Sequence, residues 1–72
     1  MPQVHVYMLT GRAPEQKRTL IAELTRVMVD IADADQDQVG VVLHEVEAEN
    51  WGRGGHSIAG PQPQSLMRRD AP

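Results

Sequence analysis

The chain has no cysteine and no phenylalanine, and among its 72 residues there is a single tryptophan and a single tyrosine. The lack of cysteine excludes disulfides and thiolate metal ligands. With so few aromatics, a chain this short has too little apolar material for an independent core; domains of this size ordinarily need a disulfide, a metal or a partner. Association with other copies is the remaining route, so an obligate oligomer is expected. Long hydrophobic runs are also missing. Nothing approaches the ~20 apolar residues of a membrane span, and the first residues alternate instead of forming a continuous signal-peptide stretch. No membrane contact is expected, and the chain reads as cytoplasmic. Basic charge is not in excess either: seven Lys/Arg against ten Asp/Glu leave a net charge of -3. Arg68 and Arg69 make too short a run for a basic patch, which argues against nucleic acid as a partner.

What is present is clear patterning. Val4, Val6 and Met8 alternate with His5, Tyr7 and Leu9, which predicts a strand with apolar character on both faces. Thr10 and Gly11 stop it. From Pro14 the period changes, and Leu20, Ile21, Leu24, Val27, Met28 and Ile31 fall on one helical stripe. Pro14 suits a first helical turn, and the Asp/Gln-rich stretch 33–38 is a polar exit. A second strand is predicted over 39–46, followed by Asn50-Trp51-Gly52-Arg53-Gly54-Gly55, which has the glycines of a turn or short hairpin. The expected fold class is therefore α/β: a single βαβ unit with parallel strands and a C-terminal β-turn or hairpin, assembling into an oligomer. Residues 1–59 form the predicted domain. Residues 60–72, rich in Pro, Gln, Ser and Arg, read as a flexible tail.

Met1-Pro2 opens directly into the first strand. An internal proline has no N–H and no basic lone pair, but removal of Met1 makes Pro2 a secondary amine of the α-amino class. Such a nitrogen can act as a base. A βαβ unit that begins with Pro2, ends its first strand at Gly11-Arg12 and closes with Trp51-Gly52-Arg53-Gly54-Gly55 resembles the 4-oxalocrotonate tautomerase family. Glu15-Gln16-Lys17 with Leu20-Ile21 looks like that family's helix start, and His44-Glu45 falls where its second strand ends.

The resemblance implies a trimer of dimers or similar hexamer, either of identical chains or mixed. It also implies cofactor-free keto-enol tautomerisation of a small enol or unsaturated 2-oxo acid. Pro2 would be the general base, and its amine must be neutral to work; desolvation and nearby cations both favour that state. Arg12 would bind a substrate carboxylate or polarise its carbonyl through a planar donor fork. Trp51 would be an apolar wall that expels water, a role compatible with burial between subunits.

One departure is informative. Early in the second strand, where the best-known members carry a second substrate-binding arginine, this chain has Gly40 between Val39 and Val41. Arg53, in the glycine-rich turn, is a candidate replacement, and an exposed turn arginine is the equal alternative. In the first case a diacid fits; in the second a monoacid does. Members that add water across haloacrylates need a carboxylate where Arg53 stands, so a hydratase or dehalogenase is disfavoured. A non-catalytic subunit of a hetero-oligomeric assembly is the other reading.

Other signals carry less. Asp33-x-Asp35-x-Asp37 begins like a calcium loop but has Gln38 and His44 where glycine and a bidentate glutamate are needed. His5, His44 and His56 lack metal-ligand spacing, and His5 and His44 read as structural strand histidines. Gly52 to Gly55 lacks the Lys-Ser/Thr of a phosphate loop. Neither metal nor cofactor is expected.

Overall fold

The computed structural model describes residues 1–60 of the chain. It contains the expected βαβ unit: β1 (Gln3–Leu9), α1 (Pro14–Ala32) and β2 (Gly40–Val46). β1 and β2 pair in parallel, in a register that runs from Gln3 opposite Gly40 to Leu9 opposite Val46. The predicted hairpin is also present, as β3 (Gly52–Arg53) antiparallel to β4 (His56–Ser57). Its turn residues Gly54 and Gly55 have φ of 64° and 93°, the positive values a tight two-residue hairpin requires. Two short 3-10 turns, Gln36–Gln38 and Ala48–Asn50, lead into and away from β2. The predicted tail, apart from Gly60, lies outside the described residues.

The helix ends follow from local chemistry. Ala13 offers no side-chain cap, but the Gln16 side-chain Oε1 reaches back to accept from the Ala13 N–H at 2.8 Å, and Pro14 supplies a fixed helical φ at the first position. At the other end Asp33 takes a left-handed conformation, φ 58°, and the Ala34 N–H closes onto the Met28 carbonyl at 3.2 Å.

Period-two alternation assigns the sheet faces. Val4, Val6 and Met8 of β1 and Val41, Leu43 and Glu45 of β2 face the helix, and the Lys17–Glu45 ion pair of 3.0 Å ties the helix start to the end of β2. On α1 the residues turned to the sheet are Lys17, Leu20, Leu24 and Met28, all half-buried. This corrects part of the predicted stripe: Ile21, Val27 and Ile31 point outward, Ile31 being 80% exposed. Two strands are too narrow to cover an apolar stripe that wide. Met8 is the only buried residue among those described, so the βαβ unit brings its elements together without enclosing a core.

Candidate active site

Arg12 follows Gly11, whose φ of 124° turns the chain out of β1. A Cβ at Gly11 would meet no atom within 4 Å, so glycine is required there by backbone conformation and not by space. The Arg12 Nη1 donates to the Leu9 carbonyl at 3.1 Å, which folds the side chain back against the end of the strand. Trp51 is half-buried and held on both sides: its N–H donates to the Ala48 carbonyl at 3.2 Å, and its carbonyl accepts from the Ile58 N–H at 3.0 Å. The Ser57 hydroxyl supports the same corner, donating to the Ala48 carbonyl at 3.0 Å. Arg53 follows on β3. Arg12, Trp51 and Arg53 line one surface hollow together with Tyr7, Leu9 and Ile58.

Three of the four predicted site residues are thus neighbours. Pro2 is not among them. It sits at the start of β1, where its carbonyl accepts from the Gly40 N–H at 3.0 Å. Between it and Arg12 lies the whole seven-residue strand, about 20 Å at ~3.3 Å per residue. Met1, which precedes it, is 84% exposed. Gly40 therefore stands beside Pro2, and Arg53 is at the opposite end of the sheet in the same chain. A Cβ built on Gly40 would meet the Gln3 Cγ at 3.6 Å, an ordinary contact, so nothing in the strand forbids a side chain there.

Tyr7 was read from sequence only as a strand residue, yet it lines the hollow beside Trp51. Its position was recoverable, since an odd residue two before Leu9 shares that residue's face. Another hollow, along the first half of α1, is lined by Glu15, Gln16, Thr19, Leu20 and Glu23. It is lined by two carboxylates and no cation that could hold a substrate acid. Among the described residues no three His, Cys, Asp or Glu side chains converge as metal ligands. Asp35 uses its carboxylate to accept from the Asp37 N–H at 3.2 Å, capping the 3-10 turn. None of the described helices is long and apolar enough to cross a membrane.

The fold and site together define a class: short βαβ chains with a proline at one end of a parallel strand pair and arginine with an aromatic at the other. Comparison with known proteins identifies the family. Residues 2–60 match the model of the tautomerase enzyme family. The chain is 44% identical over 68 residues to a 2-hydroxymuconate tautomerase of Comamonas testosteroni, covering 94% of this chain and all of the relative. It superimposes on a 4-oxalocrotonate tautomerase isozyme from Methylibium petroleiphilum with a TM-score of 0.76 at 31% identity, covering 99% of this chain and all of that one. A heterohexamer 4-oxalocrotonate tautomerase from Chloroflexus aurantiacus gives 0.77 at 31% identity, with coverage of 86% and 100%. The chain belongs to the tautomerase family and is an isomerase of the 4-oxalocrotonate tautomerase type.

Proposed function

We propose that this tautomerase interconverts the enol and keto forms of a small 2-hydroxy-dienoic or 2-oxo acid, in a site shared between two chains. Pro2 of one chain, freed of Met1, is the base. The Arg12–Trp51–Arg53 hollow of a neighbouring copy receives the rest of the substrate. In this reading the neutral Pro2 nitrogen takes the proton of the enol hydroxyl, and the electron pair moves along the conjugated chain as the carbonyl forms. The ring nitrogen then returns a proton to the carbon that has become basic. The Arg12 guanidinium holds a carboxylate by charge-assisted hydrogen bonds. Trp51 excludes water, which favours the uncharged amine.

The observation that carries this reading is the setting of Pro2. Its carbonyl accepts from the Gly40 N–H at 3.0 Å, the residue that precedes it is exposed, and Arg12, Trp51 and Arg53 gather in a hollow away from it. Tight backbone anchorage is what a fixed base needs, and the candidate acid-binding groups lie at the far end of the same sheet. Pro2→Ala, with intact mass verifying that Met1 has been removed from both proteins, should lower kcat for enol ketonisation ~100- to 10,000-fold with assembly unchanged. Near-normal turnover would remove Pro2 from the mechanism.

Gly40 supports a second reading, a subunit without turnover that assembles with a catalytic partner chain, because the strand position beside Pro2 carries no side chain to hold a substrate acid. Ketonisation by the purified single chain would exclude it.

A further inference from the structure

The sheet face turned away from the helix carries Gln3, His5, Tyr7, Val42 and His44. It bears no Asp, Glu, Lys or Arg, although 24% of the chain is charged. Three rings lie against one another on it. His44 stacks on Tyr7 with centroids 4.4 Å apart and planes 11° from parallel, and on His5 at 5.0 Å and 19°. His5 Nδ1 is 2.8 Å from His44 Nε2, and His5 Nε2 is 3.3 Å from Gln3 Oε1.

This geometry restricts the protons. A carbonyl oxygen only accepts, so His5 Nε2 carries a hydrogen and donates to Gln3. In the neutral pair His5 Nδ1 is then the acceptor, and His44 Nε2–H is the donor. A first added proton on His44 Nδ1 leaves that bond intact. A second has to go on His5 Nδ1, where it meets the His44 Nε2 hydrogen head-on. The bond is then lost, and two imidazolium ions are left at contact distance.

In a lone chain water can relieve that repulsion, since Tyr7 and Val42 beside the pair are 64% and 41% exposed. A covering surface removes the water and strengthens the repulsion. The occupant argued for is a second copy of this chain. The strand residues of this face carry no fixed charge to recruit a charged partner, Met8 alone among the described residues is buried, and the proposed site needs another copy's hollow at Pro2. We infer that the His5–His44 pair is a proton-sensitive lock on association through this face: chains stay together while the pair holds at most one added proton, and acidification separates them. The inference rests on the two-chain reading of the site.

The neighbouring charges do not supply an alternative switch at this face: Arg12 and Arg53 adjoin it only through the hollow they share with Tyr7 at the end of β1. Glu45 and Lys17 lie on the helix side and pair with each other at 3.0 Å, and the Tyr7 phenol is the only other titratable group among the rings. The separated state takes up more protons, so the association constant falls as pH falls, ~10-fold per pH unit for each pair that must shed one proton to assemble. Histidine as a class titrates between about pH 5 and 8, which sets the range to examine.

The test is sedimentation velocity of the full chain at micromolar concentration, at about pH 7.5 and about pH 5, for wild type, His5→Gln and His44→Gln. Wild type should be associated at the higher pH and separate at the lower, and both variants should stay associated at both. Wild type that remains associated on acidification, or variants that separate as wild type does, would overturn the lock. A wild-type monomer at the higher pH would overturn the two-chain reading along with it. Should circular dichroism show a variant unfolded, histidine-ring NMR of wild type decides: uptake of the second proton must coincide with chain separation, and uptake without separation refutes the inference.

Discussion

Mixing two inactive variants tests whether the site is shared. Pro2 and the Arg12–Trp51–Arg53 hollow stand at opposite ends of the seven-residue β1, so the proposed site draws Pro2 from one chain and the hollow from another. Pro2→Ala alone should retain ~1% of activity or less, by loss of a general base. Arg12→Ala removes a charge-assisted hydrogen bond worth roughly 1.5–3 kcal/mol, leaving about a tenth of activity or less. When the two variants are mixed equally, dissociated and reassembled at random, half of all Pro2 positions are native. Half of the hollows facing them are native too, so about one quarter of sites in the closed assembly regain both groups. Activity in the mixture should therefore rise to roughly a quarter of wild type, several-fold above the mean of the two parents. The assay is ketonisation of an enol acid, with native mass spectrometry of mass-tagged chains verifying exchange. A fully exchanged mixture no more active than the mean of its parents would refute the shared site.

Two further substitutions probe the ends of the sheet separately. Arg53→Ala should raise KM for a diacid but not for a monoacid, by the ~1.5–3 kcal/mol of a lost charge-assisted bond, and Gly40→Arg should recover most of it in that background; equal effects on both substrates would show that Arg53 reads no second carboxylate. Gly11→Ala places a side chain at φ 124° with no steric obstruction, so denaturant unfolding should show a loss of about 1–3 kcal/mol from backbone strain alone, and an unchanged midpoint would contradict that account of the turn.

Much of this architecture was legible because local signals agreed with one another. The change from period two to the helical period at Pro14, the Asp/Gln-rich exit and the paired glycines at 54 and 55 each marked an element that the structure contains. Arg12, Trp51 and Arg53 are site candidates by the family resemblance, and the structure places them along one hollow. Their separation from Pro2 was implicit in the strand length. What sequence could not supply was register. His5 and His44 looked scattered because they are 39 positions apart, and only the pairing of Tyr7 with His44 makes them diagonal neighbours on one face. The helix stripe misled for a related reason. Periodicity counts apolar positions but not the width of the surface available to cover them, so Ile21, Val27 and Ile31 belong to the helical stripe by spacing yet stay exposed beside a two-stranded sheet.

The central claim is that Pro2 is a free secondary amine that must be uncharged to act. Proline-specific ¹⁵N labelling allows its nitrogen to be followed by NMR across pH, alongside kcat/KM for enol ketonisation. The account predicts one titrating proline amine whose midpoint coincides with the acidic limb of the kcat/KM profile, activity rising as the nitrogen loses its proton. A Pro2 nitrogen in ordinary amide form in the active enzyme, or an amine whose titration the rate does not follow, would contradict it.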